Sequence, residues 1–281
     1  MITNHMKTYL LLAILTAILL WIGSFWGNGG ILFGLIFALI INFGTYFFSD
    51  KIVLKIYRAK EVKKNVNARL YGIIKEVAGL ANLPMPKIYI IPSKNPNAFA
   101  TGRNPKHAAI AVTEGILELL SDNELKGVLA HEMSHIKNRD ILIQTVVATI
   151  AGVISYIGIF ARWGALFGGF GGNRENNNLL QFLVMAIIAP IIALLLRLAI
   201  SRSREYLADE TGAKMIHNPL SLASALEKLE KGTKHSPLRF GSQATSSLFI
   251  VNPFKGKNLM NLLSTHPPTE KRVKKLRGMI I

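Results

Sequence analysis

The sequence predicts a mainly α-helical protein with a small β-sheet, carried on a four-helix transmembrane framework. Half of its 281 residues are hydrophobic, only 17% are charged, and the mean hydropathy is +0.33. This composition is typical of membrane proteins and excludes intrinsic disorder. The chain has no cysteine. A disulfide framework and a thiol nucleophile are therefore excluded, and any metal must be held by His, Asp or Glu.

The first uncharged run extends from Thr8 to Ser49 and has 42 residues. One membrane-crossing helix needs roughly 20 residues, so this run predicts two helices. Glycine favours turns, and the Gly-Asn-Gly-Gly sequence at 27–30 is predicted to break the run. We therefore expect a transmembrane hairpin in residues 1–50, with spans at about 9–26 and 31–48. A cleaved signal peptide is the alternative for the first span, but a second span follows immediately.

Two later uncharged runs predict a second transmembrane hairpin in residues 141–196, with spans at about 141–161 and 179–196. Each run is long enough to cross a bilayer. Two alternatives stay open for this pair: a buried hairpin in a soluble core, and a re-entrant hairpin that does not fully cross.

Basic residues are concentrated in the two segments that follow the predicted hairpins. Of the 33 Lys and Arg, fifteen lie between Lys51 and Arg139 and fifteen between Arg197 and Arg277. By the positive-inside rule, both segments face the cytoplasm. Residues 51–140 and 197–281 are thus predicted to form one cytoplasmic domain, with both termini inside. The net charge of +17 then favours contact with the lipid bilayer, and no stripe of interleaved basic and aromatic residues indicates nucleic acid.

The first cytoplasmic segment alternates predicted helices and strands. Helical periodicity covers residues 62–81, and strands are predicted at Lys87–Ile91 and Ala108–Val112, joined by a loop rich in Pro, Asn and Gly. A short helix is predicted at 114–120. These elements predict a small sheet within a mostly helical domain.

The next helix carries the motif H-E-x-x-H. It begins at a capping box, Ser121 with Glu124 three residues later, and contains His131, Glu132 and His135. Histidines four residues apart lie one turn apart on the same helix face, so both rings can bind one cation. Zinc held in this way activates water, and Glu132 can serve as general base and acid.

A catalytic zinc site requires a third protein ligand. Asp140 is only five residues past His135 and is predicted to lie on a different helix face. Glu205 and Asp209 are four residues apart on a predicted helix after the second hairpin. Glu205 can be the third ligand, with Asp209 accepting the free ring N–H of a ligating histidine. Taken alone, this acidic pair is more often a solvated helix face, but an antiparallel hairpin would bring it to the H-E-x-x-H helix.

Four motifs in order resemble the HtpX-type membrane zinc metalloproteases, relatives of the CAAX prenyl endopeptidases. They are N-A-F-A-T-G from Asn97, H-E-M-S-H-I-K-N-R-D from His131, S-R-x-R-E-Y-x-A-D from Ser201 and S-T-H-P-P-T-E-K-R from Ser264. The similarity covers nearly the whole chain. It implies a zincin-like (gluzincin) domain with one Zn²⁺ per chain and endopeptidase activity on polypeptides, membrane proteins above all. It also implies a multi-pass protein of the cell (inner) membrane, with a cytoplasmic active site and a role in membrane-protein quality control.

The resemblance also implies roles for individual residues. Asn97, Ala98 and Phe99 resemble the start of an edge along which an extended substrate can pair by main-chain hydrogen bonds, the alternative being an ordinary polar hairpin connection. His266 either donates to the oxyanion or stiffens the turn before the last helix, and Arg272 is a further candidate for stabilising the transition state. The implied zinc ligands are His131, His135 and Glu205, with Glu132 as general base and acid and Asp209 supporting a ligand.

Two other functions stay open at this point. A prenyl-protein endopeptidase of the CAAX type would be expected to enclose a chamber with more than four spans. A non-catalytic membrane scaffold that binds zinc for stability would not need Glu132, which is not required as a ligand. The sequence gives no indication of the oligomeric state.

Overall fold

The computed structural model describes residues 4–24, 27–150, 202–238, 240–241, 243–254 and 267–280. Of the predicted second hairpin, residues 141–150 are described, and the span predicted at 179–196 lies outside the described residues, as does His266. The helices are α1 (Asn4–Ser24), α2 (Gly27–Ile56), α3 (Ala68–Ala81), α4 (Glu114–Leu119), α5 (Asp122–Lys137), α6 (Ile141–Ile150), α7 (Arg202–Ile216), α8 (Pro219–His235) and α9 (Thr269–Arg277). The strands are β1 (Lys60–Glu61), β2 (Lys87–Ile91), β3 (Ala98–Gly102) and β4 (Ala108–Thr113).

The N-terminal region is a hairpin of two apolar helices, α1 and α2. Within the described residues, α2 is the helix that is long and apolar enough to cross a membrane, while Met6–Trp21 and Ile141–Ile150 are shorter apolar helices. The predicted break lies slightly earlier than residues 27–30, because α1 ends at Ser24 and α2 begins at Gly27, which has a left-handed φ of 67°. Close helix packing beside this turn depends on Gly23, where a Cβ would lie 2.3 Å from the carbonyl oxygen of Gly30.

Helix α2 continues to Ile56, well beyond the predicted end of the second span at 48. Its last turns bury Val53 and Leu54, together with Tyr57, in an apolar cluster on one face of the sheet. Tyr57 packs against Phe99 of β3, with ring centroids 5.8 Å apart. The extension exists because this apolar end of α2 has a sheet to pack against. The N-terminal hairpin is therefore joined directly to the sheet.

The four strands form one mixed sheet in the order β1-β2-β4-β3. Strands β2 and β4 are parallel, with Lys87 opposite Ala109, and β1 and β3 flank them in antiparallel orientation. The predicted strands at 87–91 and 108–112 are confirmed. The segment predicted as a loop between them contains β3, whose small residues fit a buried edge strand.

The second face of the sheet packs against helices α3, α5 and α8, which share a large apolar core with it. The prediction of a helix over 62–81 is wrong at its start, since α3 begins at Ala68. The side chain of Asn67 accepts a hydrogen bond from the backbone N–H of Leu70 and caps the helix there. Residues 62–67, between β1 and α3, instead form an irregular segment with a turn at 64–66.

Helix α6 follows α5 after a tight turn and lies beside the N-terminal hairpin. All ten of its described residues are buried. Ile143, Val146 and Val147 pack with Leu11 of α1, and Tyr46 of α2 borders the same cluster. The hydroxyl of Thr145 is 3.0 Å from that of Thr101 at the end of β3. The described start of the third predicted span therefore contacts both the apolar hairpin and the sheet.

Candidate metal centre

The H-E-x-x-H motif lies on the central, almost completely buried helix α5. The carboxylate of Glu124 accepts hydrogen bonds from the backbone N–H and the hydroxyl of Ser121, at 2.9 and 3.0 Å, which confirms the predicted capping box. Helices α3, α7 and α8 surround α5. This packing fixes the direction in which the side chains of the motif point.

His131, His135 and Glu205 meet at one point between α5 and α7. The Nε2 atoms of the two histidines are 3.2 Å apart. Glu205 places Oε2 at 3.7 Å from His131 Nε2 and Oε1 at 3.5 Å from His135 Nε2. The exposed fractions of the three residues are 1%, 4% and 2%. The structure thus brings together the three ligands that the sequence predicted.

The donor atoms of this cluster fit a zinc ion. Both histidines have a carboxylate next to Nδ1, an arrangement that leaves Nε2 as a lone-pair donor on each ring. Two such nitrogens and a carboxylate, converging in a buried site, repel one another unless they share a cation. Two imidazoles and one glutamate are a common set of protein ligands for catalytic zinc.

The Nδ1 side of His131 contacts a buried Asp–Arg ion pair. Its Nδ1 is 2.9 Å from Asp209 Oδ1, as the sequence predicted for a supporting carboxylate. Arg272 of α9 donates to both oxygens of Asp209, at 2.7 and 2.6 Å. Burial alone would raise the pKa of Asp209, but the Arg272 guanidinium outweighs it and lowers this pKa. Burial lowers the pKa of His131, against the influence of Asp209.

Asp140 is a site residue that the sequence analysis set aside. Its Oδ2 lies 3.3 Å from Nδ1 of His135. The expectation of a different helix face assumed that α5 continues, but α5 ends at Lys137 and Arg139 adopts a left-handed conformation with φ of 57°. The chain therefore folds back and returns Asp140 to the histidine. The Asn-Arg-Asp sequence just after the motif was the available signal for this turn.

Glu132 projects beside the ligand cluster and towards the sheet. Its Oε2 accepts a hydrogen bond of 2.8 Å from the backbone N–H of Ala100 in β3. Burial is the largest influence on this carboxyl and, with the nearby Glu205, raises its pKa to about 8. Burial favours neutral His135, but the hydrogen bond that Nδ1 donates to Asp140 and the charges of Glu205 and Glu132 outweigh it and raise the pKa of His135 to about 9. Glu132 is thus a proton-accepting group whose position is set by an edge strand.

The predicted substrate edge is a strand, but its first residues bind the chain itself. The amide of Asn97 donates to Val251 O at 2.7 Å, and the carbonyl of Ala98 accepts from Ile250 N at 3.2 Å. The ring of Phe99 packs edge-on against Phe249, with centroids 5.1 Å apart. The 249–251 segment is therefore held against β3 by the side chains of Asn97 and Phe99 and by the carbonyl of Ala98.

Arg272 differs from the expectation that it stabilises the transition state. Besides Asp209, its Nη1 donates to the carbonyl of Ile250 at 2.9 Å, and the residue is 1% exposed. Its N–H groups are therefore directed at acceptors of the protein. The structure gives Arg272 the task of holding Asp209 and the 249–251 segment.

The family of the chain follows from comparison with known proteins. The model of peptidase family M48 matches residues 64–280. This range includes the metal centre and the strands β2, β3 and β4. The chain therefore belongs to peptidase family M48. It is a zinc metalloprotease, and His131, His135 and Glu205 form a group that could hold the metal ion.

The similar proteins point to a membrane metalloprotease. A protease HtpX homolog of Syntrophobacter fumaroxidans is 51% identical over 280 residues, covering 98% of this chain and 99% of the relative. A protease HtpX homolog of Pyrococcus furiosus is 50% identical over 272 residues, covering 96% and 94%. A crystal structure of S. mikatae Ste24p has the same fold, with a TM-score of 0.51 and 16% identity, and the match covers 97% of this chain and 65% of that one.

Proposed function

We propose that this metalloprotease is a multi-pass endopeptidase that hydrolyses peptide bonds of membrane or misfolded proteins at the cytoplasmic face, in membrane-protein quality control. The observation that carries the proposal is the convergence of His131 Nε2, His135 Nε2 and Glu205 beside the buried carboxyl of Glu132. The HtpX relatives, which align over nearly the full chain, support the same conclusion.

In this proposal His131, His135 and Glu205 hold the zinc ion and Glu132 moves the proton. Zinc supplies Lewis-acid chemistry, which polarises a carbonyl and makes water easier to deprotonate. Glu132 takes a proton from the attacking water and passes it to the leaving amine. Burial raises the pKa of this carboxyl, which makes it a stronger base than an exposed carboxylate. The N–H of Ala100 holds the carboxylate in place.

The substrate backbone is proposed to pair beside β3. This strand lies at the edge of the sheet and is adjacent to Glu132. Because Asn97, Ala98 and Phe99 hold the 249–251 segment, that segment borders the substrate path. We keep His266 as a candidate oxyanion donor on the strength of its motif alone.

The cytoplasmic orientation is supported by charge. The closeness of the site to the membrane is supported by the connections between the apolar helices and the catalytic domain. Fifteen basic residues lie in each of the two segments that form this domain. Helix α2 runs from the apolar hairpin directly onto the sheet, and α6 starts six residues after His135. The peptidase site is thus proposed to lie close to the membrane surface, within reach of membrane-protein loops.

The experiment that tests the function measures zinc and proteolysis together. Full-length wild type, Glu132→Gln and Glu205→Gln are purified in detergent, and zinc content and casein cleavage are measured for each. We expect wild type to hold about one zinc and to cleave. Glu132→Gln should keep zinc and lose at least about 10²-fold in rate, and Glu205→Gln should lose zinc affinity. Cleavage by Glu132→Gln at the wild-type rate would refute the assigned role. Zinc binding by wild type without any cleavage would instead favour the non-catalytic scaffold alternative.

A further inference from the structure

The metal centre has a second carboxylate that supports a ligating histidine. Asp140 Oδ2 lies 3.3 Å from His135 Nδ1, and the aspartate is 2% exposed. A carboxylate at this position selects the tautomer with the proton on Nδ1 and directs Nε2 towards a metal. Asp140 therefore supports Nδ1 of His135 in the same way as Asp209 supports Nδ1 of His131.

An arginine is paired with each of these two aspartates. Arg272 contacts Asp209, and Arg204 Nη1 of α7 lies 3.6 Å from Asp140 Oδ1. The side chain of Arg204 is only 12% exposed, so this ion pair is largely shielded from solvent. Each ligating histidine thus contacts an aspartate, which in turn pairs with an arginine.

The His135–Asp140–Arg204 set lies where two apolar segments join the catalytic domain. Asp140 immediately precedes α6, and its carbonyl oxygen accepts from Gln144 N at 3.2 Å as that helix begins. Arg204 is in the first turn of α7, directly before the ligand Glu205. The left-handed Arg139 gives the chain the reversal that Asp140 needs to reach His135.

We propose that Asp140 is a positioning residue that orients His135 for zinc, and that Arg204 acts through Asp140. This inference rests on the proposed zinc site of His131, His135 and Glu205. The ion pair links the turn after α5 to the first turn of α7, so it also supports the approach of these two helices where the ligands meet. Zinc affinity consequently depends on the junction with the apolar segments.

The test is zinc affinity of the full-length protein in detergent, measured by competition with a chromophoric chelator. The variants are Asp140→Asn, Arg204→Gln and the double variant, with Asp209→Asn as a reference for a supporting carboxylate. The exposed pair Arg69–Asp122 supplies control variants, Asp122→Asn and Arg69→Gln, since Asp122 lies on α5 with the two histidines and the side chains of the pair are 41% and 68% exposed. Absorption of the Co²⁺-loaded protein reports ligand geometry independently of activity.

We expect Asp140→Asn to weaken zinc binding by about 10- to 100-fold and to change the cobalt spectrum. Arg204→Gln should weaken binding less, and the double variant should bind no worse than Asp140→Asn, since the arginine acts through the aspartate. The two control variants should bind like wild type. If Asp140→Asn fails to fold, the zinc affinity and cobalt spectrum of Arg204→Gln test the inference.

Zinc affinity and a cobalt spectrum for Asp140→Asn and Arg204→Gln equal to those of the controls would overturn the inference. Fully additive losses in the double variant would overturn the assigned route from Arg204 through Asp140. A wild-type protein that binds no zinc would instead refute the proposed function and the inference together, so the two failures are distinguishable.

Discussion

Glu124 shows how a single carboxylate can begin one helix and hold another. It caps α5 through Ser121 and also accepts from Ser224 and Lys228 of α8, at 2.6 and 2.8 Å. Burial would raise its pKa, but the hydrogen bonds from Lys228, Ser224 and Ser121 outweigh burial and lower it from the usual 4.5 to about 2. The sequence predicted the capping half of this arrangement, because the cap is local. The partners on α8 are a hundred or more residues away.

We predict that Glu124→Gln lowers the free energy of unfolding by about 2 kcal/mol at neutral pH, since it weakens charged hydrogen bonds and a cap. The folded pKa is depressed, so this stabilisation is present above pH about 4.5 and is lost as the pH falls towards 2. Denaturant unfolding at a series of pH values measures the difference between variant and wild type.

The control is Glu118→Gln, which changes an exposed carboxylate paired with Lys94. Exposed ion pairs contribute about 0–1 kcal/mol, so its effect should be small. A Glu124→Gln penalty that stayed constant down to pH 2 would contradict the assigned electrostatic origin.

At the scale of elements, the α1–α2 hairpin depends on glycines at the helix contact. A Cβ added to Gly34 would lie 2.7 Å from the carbonyl oxygen of Leu19, whereas a Cβ on Gly44 would meet no atom within 4 Å. Asn42 also crosses the contact and donates to the hydroxyl of Thr16 at 2.8 Å. Small residues that let backbones approach closely are typical of helix pairs in membranes.

We predict that Gly34→Ala destabilises the hairpin by about 1–3 kcal/mol, because the added methyl group forces the helices apart. Gly44→Ala, a change of the same kind in the same helix, should leave stability unchanged or slightly higher. Thermal unfolding in detergent compares the two variants. Equal melting temperatures would show that α1 and α2 do not pack through Gly34.

At the scale of the whole molecule, the proposed orientation places the two ends of α2 on opposite sides of the membrane. Asn28 lies exposed in the first turn of α2, and Lys106 lies exposed beside the sheet onto which α2 runs. The absence of cysteine from the chain makes single-cysteine labelling possible without background.

We predict that Lys106→Cys reacts with a membrane-impermeant maleimide only when the cytoplasmic face is accessible, and Asn28→Cys only from the opposite face. Labelling is compared in intact cells and in inverted vesicles, with the cysteine-free wild type as the blank. Reaction of Lys106→Cys in intact cells would reverse the orientation and refute a cytoplasmic peptidase site.

The sequence by itself determined the features that depend on neighbouring residues. It predicted the two apolar helices, the H-E-x-x-H helix with its cap, and the strands β2 and β4, because hydrophobic runs, caps and i,i+4 spacing are local properties. It also selected Glu205 and Asp209, since they are four residues apart on a predicted helix that an antiparallel hairpin would bring to the H-E-x-x-H helix.

Only the tertiary structure decided how distant segments meet. It placed Asp140 against His135 by a left-handed turn, Arg272 against Asp209, and β3 against Glu132. It also showed that Gly23 and Gly34 lie at the contact between α1 and α2. The contacts of Arg272 and β3 join segments far apart in the chain, and that of Asp140 depends on a chain reversal after α5. Helical periodicity carries no information about either.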